Sequence, residues 1–231
     1  IKGHPQIHVM NLIGGQVSVL TEEKGNISDI QWSPVGNKIA FVMVDPPKLP
    51  GSSYWYGEVE GNPRLYVVSS TLSDSQPESR CLTPGRIYLR TNYGGFDWAP
   101  DGKALAFAAK PSQKAIDDTH GTISIVNLET GVIHPVSPEG TWWGPKWSRD
   151  GRNIAAINCP SHETVTLRLY LLSPGKVLPK PLPLTPDERP RTVLGWASDG
   201  RLLFVEDEST SFAIQAWDPK QNRFSRLDSG G

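Results

Sequence analysis

Sulfur is almost missing from this 231-residue chain, which has two cysteines and two methionines. Cys81 and Cys159 fall at different places in the repeat described below, so a disulfide framework is excluded. Neither cysteine has the spacing of a metal site. An excess of charge of one sign is missing too, since 23 Lys and Arg against 24 Asp and Glu leave a formal net charge of −1. With no basic stripe, nucleic acid is excluded as a partner. No apolar run is long enough to span a bilayer, and no sustained 3.6-residue period supports a helical solenoid.

Catalytic signatures are also absent. There is no G-x-S-x-G elbow to seat a serine nucleophile, and no H-E-x-x-H, Walker loop or Cys/His group with zinc spacing. The five histidines, His4, His8, His120, His134 and His162, are scattered. Asp117, Asp118 and His120 form the one local polar cluster, which a solvated loop accounts for. The expectation is no catalytic residue, no metal and no cofactor in this chain. It opens at Ile1 without methionine or a signal-peptide pattern, so the natural start is expected upstream.

Turn residues are abundant, with 22 glycines and 21 prolines, which suits many short strands. Trp32, Trp98, Trp147 and Trp196 each open a short pattern: WSPVGNKIAF, WAPDGKALAF, WSRDGRNIAA and WASDGRLLFV. The intervals Trp98 to Trp147 and Trp147 to Trp196 are both 49 residues, while Trp32 to Trp98 is 66 and holds an insertion. A period in this range signals a repeat architecture. Each repeat reads as four strands, A to D. Strand A ends at the tryptophan, and an A–B turn follows in which Gly36, Gly102, Gly151 or Gly200 supplies positive φ. Asp101, Asp150 and Asp199 precede three of these glycines and read as turn formers, with Val35 in their place in the first repeat.

Strand B is apolar at consecutive positions, as in Ile39-Ala40-Phe41, Leu105-Ala106-Phe107 and Leu202-Leu203-Phe204. A half-exposed strand would alternate, so both faces of the sheet must be buried. Small antiparallel sheets covered on both faces are the blades of a β-propeller. The chain therefore reads as all-β, a β-propeller of four-stranded antiparallel blades. Residues 1–21 form a half-blade (strands C and D only). Complete blades come after it at 22–83, 84–137, 138–185 and 186–231. That makes 18 strands. An open stack leaves apolar faces at both ends, so the expectation is part of a larger propeller. The tryptophans are expected to pack between blades, and at least one of Trp142 and Trp143 with them.

Antiparallel order puts the A–B and C–D turns on one rim and the B–C and D–A connections on the other. The long connections are B–C (45–62, 110–121, 158–165) and D–A (84–95), and long loops on a rigid scaffold are where binding usually resides. The insertion 45–62 holds Tyr54-Trp55-Tyr56 with Glu58 and Glu60. The same rim carries Arg86, Tyr88, Arg90 and Tyr93, with Arg189 and Arg191. Tyr54, Trp55, Tyr56, Glu58, Glu60, Arg86, Arg90 and Tyr93 are the candidate substrate- or partner-facing residues. Rings folded back over strand edges are the competing reading of the triplet.

The tryptophan pattern, with Ser/Ala, Pro, Asp-Gly and then an Ile/Leu-Ala-Phe strand, resembles the propeller repeat shared by Tol-type periplasmic propellers and the prolyl oligopeptidase family. WAPDGKALAF carries it best; Val35, Arg149 and Ser198 depart from it. IHVMNLIGGQVSVLT, then IAFVMVDPP and a Pro/Tyr/Trp-rich loop before RLYVV, looks like acylaminoacyl-peptidase or dipeptidyl-peptidase relatives. That resemblance implies a propeller of seven or eight blades restricting short peptides to a C-terminal α/β-hydrolase domain that carries the Ser-Asp-His triad, none of which maps here. The location would be cytoplasmic. A Tol-like chain would instead be a periplasmic scaffold for a protein partner.

Overall fold

The structure is a computed structural model describing residues 4–44, 62–71, 77–91, 95–112, 119–160, 167–175, 182–183, 190–208 and 211–227. Its strands form five antiparallel sheets in chain order. Sheet I is the hairpin β1 (His8–Met10) and β2 (Val17–Val19). Sheet II runs β3 (Asn26–Trp32), β4 (Lys38–Val44), β5 (Pro63–Ser69) and β6 (Arg80–Cys81). Sheet III holds β7 (Tyr88–Leu89), β8 (Phe96–Trp98), β9 (Ala104–Lys110), β10 (Thr122–Asn127) and β11 (Ile133–Pro135). Sheet IV is β12 (Thr141–Trp147), β13 (Ile154–Cys159), β14 (Arg168–Leu172) and β15 (Leu182–Pro183). Sheet V is β16 (Pro190–Trp196), β17 (Leu202–Glu208), β18 (Ser211–Asp218) and β19 (Arg223–Arg226). Among the described residues these are 19 strands, where 18 are expected for the whole chain. The reason is local: the first strand of sheet III is broken in two, and β7 and β8 pair with opposite ends of β9. Tyr88, expected in the D–A loop, is therefore a strand residue.

The turn after each tryptophan is built as its residues dictate. Gly36, Gly102, Gly151 and Gly200 all have positive φ, and each amide donates to the carbonyl three residues back. The carboxylates of Asp101, Asp150 and Asp199 accept the N–H two residues on, from Lys103, Arg152 and Arg201. These bonds, with that from the Ser148 hydroxyl to Asp150, hold the Asp150 and Asp199 carboxyls below the ordinary carboxylate value. Successive turns also touch: a Cβ at Gly102 would lie 2.7 Å from Val35 Cγ2, whereas one at Gly200 would meet nothing.

The second strand of each sheet divides its side chains between two interfaces. Ile39, Phe41 and Met43 of β4 meet Ile7 and Leu20 of the first hairpin region, while Ala40 and Val42 meet Phe96, Trp98 and Phe107 of sheet III. From β9, Leu105 and Phe107 face sheet II, and Ala106 and Ala108 face Ile154 and Ala156 of sheet IV. From β13, Ala155 and Ile157 face Leu202 and Phe204 of sheet V. Trp142 and Trp143 go to opposite interfaces.

Among the described residues, nothing packs on the second face of the outermost sheets. In sheet I, Met10, Val17 and Val19 are exposed, and in sheet V Leu194, Phe212 and Ile214 are exposed. Trp98 is 6% exposed, but Trp32 is 51% exposed. The expectation that all four repeat tryptophans pack between sheets fails at Trp32, because among the described residues sheet I has no inner strand for it to rest on.

Trp98→Ala is expected to cost about 3–5 kcal/mol by leaving a cavity, and Trp32→Ala well under half of that, in urea denaturation of this chain. Equal losses would contradict the packing described. Gly200→Ala should cost about 1–2 kcal/mol from its backbone alone, and Gly102→Ala measurably more because Val35 stands in the way.

Candidate binding groove on the inner strands

In sheets II, IV and V, and at the break in sheet III, the inner strand is irregular just before its tryptophan. The pairing shifts between Ser28 and Gln31, between Trp143 and Lys146, and between Val193 and Gly195. Asp29, Gly144 and Gly195 take positive φ there. Such bulges re-aim the side chains beyond them. The positions re-aimed are those of Gln31, Asp97, Lys146 and Gly195, one residue ahead of each tryptophan.

These residues and the indoles zip the inner strands together. Trp98 Nε1 donates to the Gln31 carbonyl at 3.3 Å, and Trp196 Nε1 to the Lys146 carbonyl at 3.1 Å. Gln31 Nε2 donates to the Phe96 carbonyl at 3.1 Å. The junction of sheets III and IV is held differently. Trp147 Nε1 is buried without a hydrogen-bond partner among the described residues, while the Trp147 main-chain N–H donates to Asp97 Oδ2 at 2.8 Å. Lys146 Nζ lies 3.7 Å from Asp97 Oδ1, the two side chains 20% and 23% exposed. Burial raises the Asp97 carboxyl above the ordinary carboxylate value, against the opposing pull of Lys146 and the Trp147 N–H.

Together these strand ends and the adjoining turns enclose an open cavity of about 510 Å³ touched by all four repeat tryptophans, Asp97, Lys146 and Arg149. No histidine or cysteine lines it, and the Ser148 hydroxyl is committed to Asp150 at 2.6 Å. Among the described residues no group of His, Cys, Asp and Glu could hold a metal ion, and no helix is long and apolar enough to cross a membrane.

Of the loop residues singled out in the sequence, Tyr54, Trp55, Tyr56, Glu58, Glu60 and Tyr93 lie outside the described residues, as do Arg189, Asp117 and Asp118. Arg86 is exposed and lines a separate cavity of about 210 Å³ with Lys110, His120, Thr122 and Ser124. His120 Nδ1 sits 3.3 Å from Glu139 Oε2. Arg90 is half-buried, its amide bonded to the Ala108 carbonyl, and it does not line the Arg86 cavity. Sequence reasoning passed over Gln31, Asp97 and Lys146. A signal was there: a polar residue directly before the repeat tryptophan in three of four repeats.

No protein-family model matches the chain, and no curated protein sequence matches it. Solved structures do. TolB from Acinetobacter baumannii is similar at 19% identity and a TM-score of 0.58, over 99% of this chain and 50% of that one. A puromycin-hydrolyzing peptidase of Mycobacterium tuberculosis gives 15% identity and a TM-score of 0.68 over 98% and 36%. The acylaminoacyl peptidase of Pyrococcus horikoshii gives 15% and 0.69 over 97% and 35%. At such identities the likeness is one of fold. The chain spans between about a third and a half of the length of these structures.

Because the native Asp97 carboxyl holds its proton to a higher pH than the unfolded one, the native state binds more protons just above the ordinary carboxylate value, and stability falls as pH rises through that window. Asp97→Asn keeps an acceptor for Trp147 and should flatten this slope, leaving the chain at least as stable at neutral pH. Asp97→Ala strands the buried N–H and should cost about 1–3 kcal/mol. Urea midpoints at pH 4.5 and 7 check both, and a pH-independent difference between wild type and Asp97→Asn would contradict the assignment.

Proposed function

We propose that this chain is the non-catalytic portion of a propeller in a serine peptidase of the prolyl oligopeptidase kind, gating or positioning short peptides for an α/β-hydrolase domain outside residues 1–231. In this reading the chain supplies a half-blade at 1–21 and complete blades at 22–83, 84–137, 138–185 and 186–231. The B–C and D–A rim, with Tyr54, Trp55, Tyr56, Glu58, Glu60, Arg86, Arg90 and Tyr93, faces substrate or the hydrolase domain. The observation that carries the incomplete ring is the pair of uncovered apolar faces, Met10 and Val17 at one end and Phe212 and Ile214 at the other. Interior sheets of the same sequence pattern bury both faces, so the end sheets are written for neighbours. The peptidase reading is supported by the higher TM-scores, 0.68 and 0.69 against 0.58.

A second reading is a Tol-like scaffold that binds a protein partner. The likeness to TolB favours it, with the higher identity of 19%.

Treating the natural full-length protein with a fluorophosphonate that labels activated serines separates the two. The expected outcome is one labelled serine outside residues 1–231, with hydrolysis of short acylated peptides lost on labelling. An unlabelled, inactive protein would overturn the peptidase reading. Ring completion is tested apart from that: in the full-length protein Trp32→Ala should destabilise about as much as Trp98→Ala, about 3–5 kcal/mol. A small effect there would mean no inner strand covers Trp32.

A further inference from the structure

The groove on the inner strands has a wall composition that points to its occupant. Its cavity of about 510 Å³ is in the size range of small-ligand sites. One tryptophan from each of sheets II to V touches it, Trp32 half exposed and Trp98 buried at its edge. Its charged groups do not cancel. Asp97 is answered within the wall by Lys146 and by the Trp147 N–H. Arg149 is exposed, and its one hydrogen-bond partner among the described residues is the Trp196 carbonyl, at 3.4 Å from Nε. That leaves one guanidinium in excess.

Space lies within the same cavity. Where sheets II, III and IV place Gln31, Asp97 and Lys146, sheet V places Gly195, with φ of +143 and nothing within 4 Å of where a Cβ would stand. The missing side chain leaves a gap in the wall that Arg149 also lines. A cationic ligand would meet both Lys146 and Arg149 here. A polyanion is disfavoured as well, because Arg149 also borders a second cavity whose lining sets Asp150, Asp199 and Asp218 against one further cation, Lys220. A single negative charge attached to a flat or bulky apolar body fits both conditions.

We infer that this groove binds an organic carboxylate bearing an aromatic or large aliphatic group, with the carboxylate on Arg149 and the apolar body against the tryptophan wall beside Gly195. The carboxylate is either a free small acid or the C-terminus of a peptide. Stacking on indole faces and a charge-assisted bond to arginine are the interactions the wall provides. The inference stands whether or not a hydrolase domain accompanies the chain.

The tryptophans of the groove are its own reporters. The full-length protein is titrated by intrinsic fluorescence with N-acetyl-phenylalanine, with an acetylated tetrapeptide ending in phenylalanine, and with the C-terminal amide of each. The acids should bind at least about tenfold more tightly than their amides, a factor worth about 1.4 kcal/mol. Arg149→Gln should erase that difference, with the acids falling to about the affinity of their amides. Salt at about 1 M, where screening acts within about 3 Å, should shrink it without any substitution. Equal affinity of the two acids identifies a free-acid site, and tighter binding of the tetrapeptide acid identifies a peptide C-terminus. Acids and amides binding alike, or no acid binding up to about 10 mM, would overturn the inference.

Discussion

The constraint on which this structure depends is that its central strands carry large apolar side chains on both faces. A four-stranded sheet with two greasy faces cannot stand in water, and burying those side chains contributes roughly 1.5–3 kcal/mol apiece. With strands as the only regular elements among the described residues, stacking sheet on sheet covers both. The alternation along β4, β9 and β13 then sorts each strand's residues into two neighbouring interfaces. No interface is shared by more than two sheets, so stability is built from nearest-neighbour terms.

Burial alone sets no register between sheets, because apolar contact is non-directional. Direction comes from polar groups at the inner strands. The indole N–H of Trp98 and Trp196 reaches a carbonyl of the preceding sheet, so a residue chosen for its bulk also fixes how far one sheet slides on the next. At the middle junction an aspartate and a lysine take that task. The polar groups that pin the sheets together are the same ones that border the groove, which ties the shape of the site to the packing of the fold.

Much of the architecture was legible in the sequence because its determinants are local. A tryptophan, a turn glycine four residues on and an apolar run are read without knowing any partner, and the positive φ at Gly36, Gly102, Gly151 and Gly200 bears that out. The break between β7 and β8 was not legible, since it depends on how Tyr88 and Phe96 each reach β9. Nor was the exposure of Trp32, whose surroundings are decided by the sheet before it. The groove escaped notice for the same reason: Asp97 and Lys146 are 49 residues apart, and only the stacking of consecutive sheets brings them within 3.7 Å.

The exception at the middle junction has a mechanical meaning. Between sheets II and III, and between IV and V, the inner strands are riveted by neutral bonds to main-chain carbonyls, which do not titrate. Between sheets III and IV the rivet is a carboxylate, which accepts the Trp147 N–H and faces Lys146. The same carboxylate that holds sheet IV to sheet III also faces the tryptophan-lined cavity, so one side chain serves both the seam and the wall.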